Sequence, residues 1–266
     1  MRPIYPPPGR LPRITQSQIE SYLRCGVRYF LEHECTRRVC TVRMAVGSGV
    51  AVGAWQDNRS KLARGIGLPA CEIVDASVAA YAEEIEESDC ADSRLEQGQG
   101  EDLVANAAEC YAREVAPKTT GILAAEEPML AEMGDLEVAG TPDVVTTAGI
   151  GDTKVGQPWT LERADRARQL SGYAILHWSR RGRLPSRVWI DSVSRSRSGW
   201  QATRWFSVRT EKDCTAFLET ARKVREAINA GTALPAPEGA WWCSRKWCPW
   251  WTRCPHISRR ETNGTD

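Results

Sequence analysis

The most regular apolar pattern lies late in the chain. Cys214, Phe217, Leu218, Ala221, Val224 and Ile228 recur at helical spacing and predict one amphipathic helix that ends before Gly231. Thr210-Glu211-Lys212-Asp213 stands at its start as a capping box, with aspartate in the glutamate position. Thr160 caps a second predicted helix that continues to about Arg181, with Leu170, Tyr173, Ala174 and His177 at helical spacing and Gly182 as its stop. Near the N-terminus, Ser17-Gln18-Ile19-Glu20 reads as a capping box, and Ile19, Tyr22, Leu23, Gly26 and Phe30 mark the inward stripe that follows. Met44 to Lys61 is glycine-rich and then helical. Cys71 to Ala116 is helical and acidic, with Ile73, Val78, Ala79, Ala82 and Ile85 as its packed face and a loop near Asp89 to Gly100. Strands are predicted at Ile122–Glu127, Val188–Ser194 and Gln201–Val208, and as a pair on either side of Ala148-Gly149.

That last pair has chemical consequences. If Ala148-Gly149 is a two-residue turn, Thr147 faces Ile150, Val145 faces Asp152 and Asp143 faces Lys154. Side chains alternate along a strand and opposed residues share a face, so Asp143, Asp152 and Lys154 project together. Carboxylates a diagonal apart, about 7–8 Å between backbones, can close on one divalent cation. The other reading is a surface hairpin with a solvated ion pair. Either way the three side chains are expected to face solvent rather than core.

With 266 residues the chain can bury a sizeable core, and no apolar run approaches the ~18 residues of a membrane span. The opening Met-Arg-Pro-Ile-Tyr-Pro-Pro-Pro lacks the apolar centre of a signal peptide. The ten cysteines are therefore expected to be thiols or metal ligands in a cytoplasmic protein. Cys71, Cys90, Cys110 and Cys214 are read as buried small hydrophobes. The net charge of +1 conceals an asymmetry: eighteen acidic residues between Glu72 and Glu137 face only Arg94, Arg113 and Lys118, whereas eight arginines between Arg180 and Arg209 face only Asp191. Tryptophans 189, 200 and 205 interleave with these arginines, a mixture that suits phosphate pairing and base stacking. Arg195, Arg197, Trp200 and Arg204 are the candidate DNA contacts. The tail adds Trp241-Trp242-Cys243, Trp247-Cys248, Trp250-Trp251 and Cys254, a set of thiolates wrapped in bulky rings that suits a soft or borderline metal.

Asp143 followed by Asp152-Thr153-Lys154 resembles the signature of the PD-(D/E)XK nucleases, in particular their RecB-like branch. Gln169-Leu-Ser-Gly-Tyr173 matches that branch's Gln-x-x-x-Tyr motif, in which positions four apart share a helix face. The phrase ending in Cys25 and the cysteine-rich tail resemble the iron–sulfur members, AddB and the CRISPR-associated adaptation nucleases among them. The resemblance implies an α/β fold: a restriction-endonuclease-like mixed sheet flanked by helices. Residues 15–256 would form the nuclease domain, with an acidic helical insertion at about 71–118 and a cluster region at 241–255, between a flexible leader (1–14) and a flexible tail (257–266). It also implies magnesium- or manganese-dependent hydrolysis of DNA by a phage-type exonuclease, with a recombination or repair protein as a possible partner. Asp143 and Asp152 would hold the metal, with the Thr153 carbonyl and Glu126 or Glu127 as further ligands; of these two, Glu127 is the candidate carried forward. Lys154 would stabilise developing charge, and Gln169 and Tyr173 would position substrate. Cys25, Cys243, Cys248 and Cys254 would hold a 4Fe–4S cluster, with zinc as the competitor and His256, Cys35 or Cys40 as substitute ligands.

One departure stands out. The family's Gly-x-x-x-His phrase has no histidine here: counting four from Gly49 gives Gly53, and from Gly47 gives Ala51. The alternatives are a DNA-binding protein on the same fold that does not cleave, or a metal-clasped interaction module with an incidental hairpin.

Overall fold

The computed structural model describes residues 12–34, 39–90, 92–245 and 247–256. Apart from residues 12–14, the expected leader lies outside them, as do the expected tail and Cys35. In chain order the strands are β1 (Arg13–Thr15), β2 (Val39–Cys40), β3 (Asp89–Cys90), β4 (Ile122–Ala125), β5 (Met129–Met133), β6 (Leu136–Gly140), β7 (Val144–Thr146), β8 (Gly149–Gly156), β9 (Val188–Ser196) and β10 (Gly199–Ser207). The helices are α1 (Gln16–Arg24), α2 (Gly26–Glu34), α3 (Val42–Arg64), α4 (Ala70–Glu87), α5 (Arg94–Glu114), α6 (Leu161–Asp165), α7 (Arg168–Arg181) and α8 (Glu211–Asn229).

The three longest strands belong to a mixed sheet in the order β10-β9-β8-β7-β4, in which only β8 and β9 run parallel. The parallel crossover between them is made by α6 and α7. A smaller sheet, β1-β6-β5, packs beside α7. Arg13 and Ile14, expected in the leader, are instead part of β1, where Ile14 is fully buried and Arg13 pairs with Glu137 of the adjacent β6. The architecture is the restriction-endonuclease-like mixed sheet flanked by helices that the sequence implied.

Alternation along β8 and β9 serves two separate cores. Ile150 and Ile190 face a cluster built with Leu170, Ala174 and Leu176 of α7 and the apolar stripe of α8. Val155 and Val193 face the opposite way, into a cluster built from α3, α4 and α5. Gly151 stands opposite Trp189 in register, and its missing side chain makes room for the indole. Both faces of the central strands are thus covered, as the crossover topology requires.

Several local expectations shift. The first helix starts earlier than Ser17: Thr15 is its N-cap, and Thr15 and Gln18 form the capping box. That helix stops at Cys25 and restarts at Gly26, whose Cα lies too close to the Leu234 backbone for a side chain. The helix after Thr160 is likewise broken, at Arg166 and Ala167. In α4 the buried stripe is Ile73, Ser77 and Tyr81, and Ala79 and Ala82 are exposed. Cys71 is exposed as well, whereas Cys110 and Cys214 are buried as expected. The loop before α5 is short, and the residues beside it pair as β2 with β3.

Gly49 and Gly53 of α3 are packing devices. A side-chain carbon at Gly53 would collide with Ser77 Oγ and stand 2.7 Å from the Ile73 carbonyl oxygen, so this face of α3 lies against the backbone of α4. Gly47, on another face, has open space around it. Gly53→Ala should therefore destabilise by about 1–3 kcal/mol through overpacking. Gly47→Ala should stabilise by up to about 1 kcal/mol, because alanine is the better helix former. Chemical denaturation midpoints that move the same way in both variants would refute this packing.

Candidate active site

The turn of the central hairpin is Thr147-Ala148 rather than Ala148-Gly149, because Thr146 pairs with Gly149 and Val145 with Ile150. Extending that register by two residues sets Asp143 directly opposite Asp152, instead of opposite Lys154. Both strands shift by one, so facing is unchanged. Asp143, Asp152 and Lys154 remain on the side covered by α7, and the two aspartates come closer than a diagonal pair.

From there α7 closes over them. Gln169 and Tyr173, one turn apart, both reach Asp152 Oδ1: Gln169 Nε2 donates over 2.8 Å and the Tyr173 hydroxyl lies 3.0 Å away. Gln169 Nε2 also lies 2.8 Å from the Tyr173 oxygen. The other oxygen, Asp152 Oδ2, stands 2.7 Å from Lys154 Nζ. Asp143 Oδ2 accepts from the Thr153 backbone N–H at 2.6 Å. Asp152 is only 2 % exposed, which corrects the expectation of a solvent-filled site. Lys154 is the member that reaches a cleft of about 810 Å³, whose wall also includes Gln169.

Charge accumulates faster than it is neutralised. Burial, then the Asp152 charge, hold the Asp143 carboxyl well above the usual carboxylate range. Glu126 is raised to about 6 by burial first and by Asp152 second. Burial opposes the charge on Lys154, but Asp152 and Asp143 outweigh it and hold the ammonium above its ordinary value. Tyr173 is pushed well up by burial and by Asp152, so it stays a phenol that can donate. Asp143 and Glu126, half-buried and raised beside Asp152, form with it a donor set that a hard divalent cation would relieve. As the side chains stand, no group of three or more His, Cys, Asp or Glu among the described residues is arranged around a common ion position.

A model of the PD-(D/E)XK nuclease superfamily matches residues 13–255. The chain belongs to that superfamily. A solved structure named a putative exonuclease, from Eubacterium rectale, shares the fold at a TM-score of 0.51 and 12% identity, over 88% of each chain. Another, named SSO0001, aligns over 91% of this chain and 96% of its own at 14% identity, with a TM-score of 0.35. No curated protein matches.

In this nuclease the glutamate beside the aspartates is Glu126. Glu127 turns outward to pair with Arg180 at 2.8 Å. Glu126 also has a left-handed backbone (φ 49°), and its N–H donates to the Asp143 carbonyl, 3.2 Å. That tight link between the end of β4 and the Asp143 segment could not be read from spacing. Gly53, packed against α4, does not face the aspartates. Neither His33 nor His177 compensates: their Nδ1 atoms bond the carbonyls of Tyr29 and Arg183.

Of the arginine-rich stretch, Arg204 is bound into the fold. Arg204 makes a two-pronged pair with Asp191 (2.7 and 2.8 Å), donates to the Lys118 carbonyl and Thr119 Oγ1, and stacks over Trp189. It therefore has no guanidinium face to spare for a phosphate. Arg195 and Trp200 line a pocket with Asp102 and Asn106 of the acidic α5, and Trp200 packs on the second core. Arg197 is exposed at the hairpin tip. Trp189 is buried, and Trp205 packs against the main core.

One buried residue escaped the pattern. Arg209, 4 % exposed, donates to Ser171 Oγ, Ser207 Oγ and the carbonyls of Ala164, Ala167 and Val208. It adds a further bond to the Ala164 and Ala167 carbonyls where α6 breaks from α7, and so sets the entry of the helix that carries Gln169 and Tyr173. Its only sequence signal was an arginine just before a capping box.

The tail folds back on the first helices. Cys25 and Cys243 lie within electrostatic reach of Cys248, whose thiol is raised first by burial. As they stand, no three of these thiols are gathered around a common metal position among the described residues.

In metal-free protein Glu126 binds its proton more tightly folded than unfolded. Its contribution therefore falls as pH rises from about 4.5 through about 6. Glu126→Gln should gain thermal stability relative to wild type across that window in chelator. A constant difference between the two proteins would show that Glu126 ionises normally.

Proposed function

We propose that this chain is a magnesium- or manganese-dependent DNA nuclease acting on DNA ends or single strands, in recombination or repair. The observation that supports it best is Asp152, which faces Asp143 across the hairpin and is gripped by Gln169, Tyr173 and Lys154. A magnesium or manganese ion on Asp143 and Asp152, with Glu126 and the Thr153 carbonyl as further donors, would acidify a bound water and neutralise phosphate charge. These are hard oxygen donors, which suit such ions without an imidazole. Gln169 and Tyr173 hold Oδ1 and thereby orient Asp152. Lys154, kept protonated by the aspartates, faces the cleft where negative charge would develop on a phosphate. A cytoplasmic setting is in keeping with the nine described cysteines, all free thiols.

Labelled linear and circular DNA incubated with magnesium, manganese or chelator tests this reading. Linear DNA should be degraded with either metal and circular duplex spared. Asp152→Asn should abolish cleavage, and Lys154→Ala should lower kcat by about 10²–10³-fold, the scale of losing one charge-stabilising donor. Wild-type protein that binds DNA but cuts none would make this a non-cleaving DNA-binding member of the superfamily.

A second reading concerns the thiols, and the approach of Cys25 and Cys243 to Cys248 favours it. We read this clasp as a metal site that ties the two chain ends together, iron–sulfur before zinc, with Cys254 as the fourth ligand. Protein purified without oxygen should then be brown, and Cys25→Ser should lose the metal and lower the stability of the whole domain. A colourless, zinc-free protein would remove the clasp.

A further inference from the structure

The cleft beside Lys154 and Gln169 does not end there. Its far wall is cationic, with Arg24, Arg163, Arg166 and Arg168. A second cleft of about 600 Å³ shares Glu20, Arg24, Arg163 and Arg168 with the first and ends at Trp241 and Trp242. The two make one groove that leads from Lys154 and Gln169, over α1 and the broken α6–α7 segment, to the folded-back tail.

The groove alternates cations with rings. Arg163 stacks over Trp159 at 4.0 Å, and Arg24 lies 5.5 Å above Trp242. Trp242 Nε1 also donates to the Arg24 carbonyl, 3.4 Å, which anchors the tail to the end of α1. Trp241 meets Trp242 and Trp247 nearly edge-on and remains 57 % exposed. Two carboxylates line the groove as well: Glu20 pairs with Arg168 at 3.2 Å and Glu162 with Arg166 at 2.8 Å. Both pairs are solvent-exposed, so they hold their arginines weakly and yield readily to a phosphate. Arginines track a phosphodiester backbone, but an indole stacks only on a base that is not paired in a duplex.

We propose that this groove binds single-stranded DNA, with Arg163, Arg166 and Arg168 on phosphates and Trp241 as a base-stacking platform at the end remote from Lys154. The assignment rests on the nuclease reading for its direction, since it makes Lys154 the end at which the strand is cut. It replaces the β9–β10 arginines as the nucleic-acid path and gives the tryptophan-rich tail a function apart from any metal.

The test is fluorescence anisotropy in chelator at fixed salt, with labelled (dT)12, (dT)4 and a short blunt duplex as probes. Wild-type protein should bind (dT)12 more tightly than duplex. Trp241→Ala should weaken (dT)12 by about 5- to 100-fold, the loss expected for one base stack, and narrow its advantage over (dT)4. Arg166, 80 % exposed in its side chain, can be reversed without disturbing the fold. Arg166→Glu should weaken (dT)12 and, in a salt titration, make the slope shallower by about 0.7 for each phosphate no longer neutralised. Unchanged (dT)12 affinity in both variants, or equal affinity for duplex, would overturn the groove. Trp241-dependent binding by a protein that cuts no DNA with manganese would support the groove and refute the nuclease reading. Cleavage with unaltered binding in both variants would do the reverse.

Discussion

Like charges brought out of water constrain this molecule more than any other feature. Asp143 and Asp152 face each other across a hairpin, Glu126 joins them from just beyond β4, and Lys154 is the cation the fold sets beside them. Burial and mutual repulsion raise Asp143 and Glu126, whereas the same field keeps Lys154 charged. Such an arrangement costs stability on its own. Surrounding elements must hold it in place, and a divalent cation or a transferred negative charge finds it already organised.

The holding is done by polar groups bonded from neighbouring elements. Gln169 and Tyr173 fix one oxygen of Asp152 from α7, and the position of α7 depends on Arg209 bonding the carbonyls at the α6–α7 break. On the opposite face of the sheet, the Arg204–Asp191 pair joins β10 to β9 and to the segment after α5. Breaking one partner of a buried pair leaves the other uncompensated, so these arginines are bound into the fold. Arg166 and Arg168, beside the α6–α7 break, are by contrast exposed at the cleft.

What could be read from residue order was what depends on local chemistry. Thr160 and Thr210 cap helices as expected because a side-chain oxygen needs only the next turn of backbone. Asp143, Asp152 and Lys154 share a face because alternation survives a shift of one residue in both strands. The Gln169–Tyr173 spacing brings both side chains to Asp152 because four residues span one helical turn. The turn residues themselves were misplaced, since Gly149 belongs to the strand and pairs with Thr146.

Tertiary structure decided what composition could only list. An arginine reads the same in sequence whether it is paired with a buried aspartate, as Arg204 is, or open to a cleft, as Arg166 is. Glu126 and Glu127 are adjacent, and only a left-handed backbone turns one toward the aspartates and the other toward Arg180. Gly53 stands where a ligand was sought, but helix packing against α4 claims it. Local pattern determines elements and faces, because those depend on bonds a few residues long. Desolvation, pairing and access depend on contacts between residues far apart in the chain, and only the packed fold brings those together.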